Sequence, residues 1–344
     1  CLYLPEPEPQ PSQNGSNATS FMKIIKYLNE NYEKDVDYYS RYKNILEGVD
    51  TYWLSQPVEN SFSHAHSLYV EGGVENVRYG IDASYNQQKG VMKESGRDRM
   101  GLGFSLIYRI KDKVTIKNYV SYAYTKAYNS PYGDFSEYTY MNPYYYPYAD
   151  NGNPQKVLYT YENGEEVWNP LYNASLGTKD EQAYDDFLNN FSLEWNVLSG
   201  LKLKGNISLN RKTVTSDKFL PGEHTSFQNS SLNGSYTKTI EEYFTYDANV
   251  TLSYTRSFGK HQLNGVGVWN VKETRSDMFE TVAYNFPNSN MDHIGMGIEY
   301  GKGDQPDGNY EVSRLMGFVA NFNYGYDNRY LVDASIRSDG SSLF

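Results

Sequence analysis

The segment LKLKGNISLN at residues 201–210 sets Leu201, Leu203, Ile207 and Leu209 on one register and Lys202, Lys204, Asn206, Ser208 and Asn210 on the other. A period of two is the mark of an extended strand whose faces meet different surroundings. Residues 244–255 repeat it, with Phe244, Tyr246, Ala248, Val250, Leu252 and Tyr254 opposing Thr245, Asp247, Asn249, Thr251, Ser253 and Thr255. The same period recurs at 77–86, 99–110, 114–125, 187–198, 261–272, 315–325 and 329–338, and more weakly at 62–72. The pattern predicts about ten strands, most about ten to thirteen residues long. Globular strands average about five or six residues, whereas a tilted strand crossing a bilayer needs about ten.

The connections constrain the class further. Short links near 73–75, 111–113, 199–200, 258–260 and 326–328 alternate with long ones over about 87–98, 127–184, 212–242 and 274–312. A soluble sandwich has no reason to put every long loop at one end; an outer-membrane barrel has tight turns on the periplasmic side and long loops outside. The sequence therefore reads as all-β, an antiparallel transmembrane β-barrel with short N-terminal helices. Its mean hydropathy of -0.72 and formal charge of -11 do not oppose this, because only alternate barrel residues touch lipid. The 36 tyrosines suit sheet between two media. No apolar run is long enough for a membrane-crossing helix. The acidic balance and the lack of a basic stripe exclude a nucleic-acid partner.

Residues 1–20 read as linker or disordered chain. Residues 21–50 read as a short helical segment, with Phe21, Ile24, Ile25 and Leu28 at helical intervals, and 51–344 as partial barrel. Cys1 has two readings, a lipidated tether or simply the place where the sequence starts.

Three stretches carry a family resemblance. YDNRYLVDASIRSDGSSLF at 326–344 has a tight turn, an Arg-Tyr-Leu strand and Arg-x-Asp-Gly-Ser-Ser. VEGGVENVRYGIDASYNQQKGVMKESGRDRMG at 70–101 is a hairpin with Gly-Gly before the turn, Arg-Tyr in the next strand and a loop returning through Arg. MNPYYYPYADNGNP at 141–154 is an aromatic loop. Together these resemble the SusC/RagA-type TonB-dependent outer-membrane transporters of Bacteroidetes. The resemblance implies a barrel of about 22 strands, of which about ten are read here, closed by a plug that carries a TonB box. It also implies a SusD-like surface lipoprotein partner, an oligosaccharide or peptide substrate, contact with outer-membrane lipid, and residence in the bacterial outer membrane. Neither plug nor TonB box is read in this sequence, and the strands near 62 and 338 would be open edges, so a partial barrel is expected.

No catalytic, cofactor or metal constellation is expected. His64 and His66 share a strand face, but spacing places no third ligand. Glu241 with Glu242, and Glu162 with Glu165 and Glu166, read as ordinary charges rather than a glycosidase pair. Asp150-Asn151-Gly152-Asn153 fits a turn better than a calcium loop. The candidate contacts to substrate or lid are Tyr138, Tyr140, Tyr144, Tyr145, Tyr146 and Tyr148, whose rings either stack on sugars or pack the loop over the barrel mouth. Two alternatives stay open: a soluble or lipid-tethered β-sandwich that binds carbohydrate, and another outer-membrane barrel such as a porin or adhesin.

Overall fold

The structure, a computed structural model, describes residues 42–111, 113–161, 164–300 and 305–342. Residues 42–46 are helical; the linker expected over 1–20 and the helix expected from 21 to 41 lie outside the described residues.

Ten long strands form one antiparallel meander, each paired with its neighbours in chain order. They are β1 (His64–Val74), β2 (Val77–Lys89), β3 (Gly96–Ile110), β4 (Val114–Tyr128), β7 (Lys179–Leu198), β8 (Leu201–Leu220), β9 (Ser235–Phe258), β10 (His261–Tyr284), β11 (Asp307–Tyr326) and β12 (Tyr330–Ser341). A small hairpin, β5 (Val157–Thr160) and β6 (Glu166–Trp168), stands apart in the loop after β4. The long strands make a single sheet, not two sheets packed face to face, and this removes the sandwich alternative. The sheet does not close on itself among the described residues.

Register assigns the faces, because residues directly opposite one another point to the same side. One row joins Val70, Ile81, Phe104 and Val120. Another joins Leu203, Leu252, Gly267, Ala320 and Ile336. The large apolar side chains Val70, Ile81, Phe104, Leu252 and Ile336 in these rows are exposed, Leu252 to 49%, and Val120 and Leu203 are half-buried. A continuous exposed apolar band on a long sheet is what hydrocarbon requires. The opposite face is polar. It carries Lys117 opposite Ser192, then Asn206, Asn249 and Asn270 in one line across β4 to β10. The apolar face is the convex, lipid-facing side of a barrel wall and the polar face its concave side.

All ten strands expected from the pattern are present, with tight turns at or next to each expected short link; the first lies at 75–76, because Gly73 and Val74 still pair in β1. Gly200 shows why one of these is fixed: its φ is +84° and an added Cβ would sit 2.1 Å from the Thr255 carbonyl oxygen. Asp327 and Asn328 turn the last hairpin with φ of 54° and 53°, a conformation these residue types tolerate.

The long connections are shorter than expected. They occupy 90–95, 129–178, 221–234 and 285–306, because β7 to β11 continue for 20 to 24 residues. Residues 212–220 and 274–284, expected in loops because the alternation fades there, belong to β8 and β10. Above the apolar band both faces meet water, so a strand there has no reason to alternate. Twenty-four residues rise about 80 Å along the strand, far more than a tilted strand needs for a core about 30 Å thick.

Candidate functional site at the long-loop end

The connection between β4 and β7 folds into a compact unit over that end of the sheet. Its core is Tyr138, Tyr145 and Leu171, joined by Trp53 from the segment before β1. Short helices at Phe135–Thr139 and Pro170–Ala174 and the β5–β6 hairpin frame it. Asn169 starts the second helix by accepting from Leu171 N at 3.1 Å, and its amide donates to the Pro147 carbonyl at 2.7 Å. The Trp53 indole donates to the Asn142 carbonyl at 2.9 Å, the Thr51 hydroxyl to the Tyr145 carbonyl at 3.0 Å and the Asn44 amide to the Tyr144 carbonyl at 3.0 Å. These bonds tie residues 44–53 to the tyrosine-rich stretch and leave its backbone no freedom to swing. The Asn173 amide reaches on to the Thr225 hydroxyl at 2.8 Å, linking this unit to the next loop.

The six tyrosines expected at this surface separate by environment. Tyr138 and Tyr145 are buried at 1% and 5% exposure, and Tyr145 stacks on Tyr159 with ring centroids 6.1 Å apart. The Tyr138 hydroxyl donates to the Tyr132 carbonyl at 2.9 Å, and burial pushes its phenol well above the usual range. These two rings hold the loop together and present no face to a ligand. Tyr144 and Tyr148 are half-buried, the Tyr148 hydroxyl lying 3.4 Å from the Gln56 side-chain oxygen. Tyr140 and Tyr146 are the outward pair, 78% and 52% exposed. Sequence reading missed Trp53; its isolation in a polar, Pro-flanked stretch at 50–57 was the available signal.

Other candidates separate cleanly. Glu241 and Glu242 are successive strand residues and face opposite sides: Glu241 accepts from the Tyr243 hydroxyl at 2.7 Å, and Glu242 pairs with Arg211 at 3.7 Å. They cannot work on one bond. The His64 and His66 rings lie 5.1 Å apart, yet among the described residues no group of three or more His, Cys, Asp or Glu is placed to hold a metal ion. Asp150-Asn151-Gly152-Asn153 is a turn, with Asn153 N donating to the Asn151 side chain at 3.0 Å.

The concave face carries its own polar wall. Glu194 lies between Lys117 and Lys204 at 3.3 and 3.8 Å, and Asn206 donates to Asn249 at 2.7 Å. A shallow cavity of about 450 Å³ opens here, lined among others by Lys117, Tyr119, Asn190, Ser192, Asn206 and Asp247. Amides, hydroxyls and paired charges of this kind can exchange hydrogen bonds with a hydrated solute but assemble no nucleophile beside a base.

A long meander with an apolar convex face and a polar concave face is the wall of an outer-membrane β-barrel. Known proteins narrow this. The chain is 21% identical over 280 residues to TonB-dependent receptor P39 of Formosa agariphila, covering 81% of this chain and 26% of the relative. It is 23% identical over 336 residues to TonB-dependent receptor P3 of the same organism, covering 90% and 32%. Among solved structures, the RagAB peptide transporter superposes with a TM-score of 0.74 at 17% identity, over 94% of this chain and 40% of that one. RagAB in its open-open state gives 0.71 at 19% identity, over 86% and 33%. No protein-family model matches the chain. The resemblance to SusC/RagA-type TonB-dependent transporters read from the three motifs is borne out, and the chain spans about a quarter to a third of the curated relatives it matches.

Proposed function

We propose that this chain forms part of the wall of a TonB-dependent transporter in a Gram-negative outer membrane, importing oligosaccharides or peptides with a SusD-like lipoprotein over its mouth. The observation that carries the reading is the pairing of a lipid-facing band with a concave polar wall on strands that match RagAB over most of the chain. In this reading the polar wall keeps the solute hydrated while it passes. The loop unit around Trp53 is a fixed platform, and Tyr140 and Tyr146 offer ring faces to a sugar, a peptide or the lid. Energy comes from TonB through a plug supplied by the rest of the transporter.

The test is growth and uptake in the parent bacterium. Deleting the gene, or inactivating TonB, is expected to abolish growth on the oligomeric nutrient while growth on its monomers continues. The lipoprotein should co-purify from the outer-membrane fraction. Uptake that persists without TonB, or recovery of the protein outside that fraction, refutes the proposal.

A further inference from the structure

Three cations gather around one phenol at the upper end of the concave face. Arg97 and Arg99 sit two residues apart on β3, so both point to the concave side, while Asp98 between them points to the other. Across the sheet Arg99 lies opposite Thr125, and Thr125 opposite Tyr184 of β7. The Arg97 guanidinium donates to the Tyr184 hydroxyl at 2.7 Å, and its carbon lies 6.0 Å from the centre of that ring. Lys212 of β8 reaches the same ring, its ammonium 4.7 Å from the centre. Thr125, fully buried between Arg99 and Tyr184, forms the floor beneath the cations.

Among the described residues none of Arg97, Arg99 and Lys212 takes part in an ion pair. Of the carboxylates on this side of the sheet, that of Asp186 comes nearest in register. Asp186, opposite Lys212 in register, accepts from the Asn210 amide at 3.1 Å. Glu241 accepts from the Tyr243 hydroxyl. Lys218, slightly higher, is matched by Asp180 at 3.8 Å. A chain with a formal charge of -11 has carboxylates in plenty to neutralise three cations, and it leaves these three gathered around one phenol. Asp186 offsets part of the Lys212 charge but forms no ion pair with either guanidinium, so the remaining positive charges repel and an arriving anion relieves that cost.

We propose that Arg97, Arg99, Lys212 and Tyr184 form a subsite for an oxyanion carried by the transported solute, a carboxylate of an acidic sugar or of a peptide C-terminus. The guanidiniums supply forked donors, the ammonium a third charge and the phenol a hydroxyl to complete the shell. The subsite rests on the reading of this face as a transporter lumen. Its test is binding rather than uptake, so the two can fail separately.

The experiment is titration calorimetry on the full-length transporter in detergent with two pairs of probes. Cellobiouronic acid is compared with cellobiose, and N-acetyl-trialanine with its C-terminal amide. The charged member of one pair is expected to bind at least about tenfold more tightly than its neutral partner, with the preference shrinking at high salt. The pair that shows it identifies the source of the carboxylate. R97Q/R99Q/K212Q should lose the preference, and R97K/R99K/K212R should keep most of it. Heat-modifiable gel migration reports that each variant is a folded barrel. Equal binding within both pairs, no binding of either charged probe at millimolar concentration, or a preference that survives in the glutamine variant overturns the subsite.

Discussion

Replacing Trp53 by Ala should open the β4–β7 loop unit while leaving the sheet intact. Trp53 is 3% exposed, packs against Tyr138, Tyr145 and Leu171, and its indole holds the Asn142 carbonyl at 2.9 Å. Truncating a buried aromatic to Ala costs about 3–5 kcal/mol through lost burial and the cavity left behind, and an orphaned buried carbonyl adds about 1 kcal/mol. The unit's core is small, so a loss near 4 kcal/mol is comparable to all the stability such a unit holds. The contact joins residues far apart in sequence, so the ties from Asn44 and Thr51 should fail with it. Hydrogen–deuterium exchange is the assay. Amides of 132–175 should exchange on the order of a thousandfold faster, at about 1.4 kcal/mol per tenfold, while those of β8 to β10 keep their protection. Trp53→Phe, which keeps most of the apolar bulk, should fall between. Unchanged protection of the loop, or equal loss of protection in the strands, refutes the claim that Trp53 is the clasp of a separate unit.

Three further outcomes follow from the same geometry. Leu252→Arg places a cation on the apolar band and should cost about 2–4 kcal/mol in refolding into lipid vesicles, whereas Thr251→Arg, one residue away on the concave face, should cost little; similar costs for both would reverse the assignment of faces. Gly200→Val combines a φ of +84° with a Cβ 2.1 Å from the Thr255 carbonyl oxygen, so it should destabilise the β7–β8 turn by about 1–3 kcal/mol, read as a lower urea midpoint; a wild-type midpoint would show that the turn relaxes freely. Burial, with Lys218 nearby, holds the His224 imidazole below its usual pKa, and its Nδ1 accepts from Ser226 N at 3.2 Å. The unfolded chain therefore takes up the proton first as acid is added, and loop stability is full above about pH 6.5 and falls below it. The protection factor of the Ser226 amide, its exchange rate corrected for the intrinsic pH dependence, should fall on acidification and lose that dependence in His224→Gln.

Sequence alone gave the sheet more readily than the site. Alternation persists wherever one face meets lipid and the other water, so segments such as 201–210 and 244–255 announced themselves, and the tight turns at Gly200 and Asp327-Asn328 follow from residue chemistry. Alternation is lost at 212–220 and 274–284 because those strands stand in water on both faces. The tyrosine loop has no period, so nothing in MNPYYYPY separates the buried Tyr145 from the exposed Tyr146. That distinction depends on Trp53, some ninety residues upstream. The cationic cluster was hidden for a related reason. Arg97 falls in the expected loop over 87–98, Arg99 at the first position of the run 99–110, and Lys212 just past the run 201–210, so no period brings the three together.

The unequal strand lengths give the rim a profile. β8 to β10 rise as a tall crest whose tip is bound by Phe219, Tyr236 and Phe286. The short connection of β2 and β3 over 90–95 is instead roofed by the loop unit, the Ser130 hydroxyl donating to the Lys93 carbonyl at 2.6 Å and the Lys93 amide to the Pro57 carbonyl at 2.8 Å. One flank of the rim is thus the sheet's own prolongation and the other a separately folded roof, so a protease acting on whole cells should nick the roofed flank first once its clasp is loosened, and spare the crest.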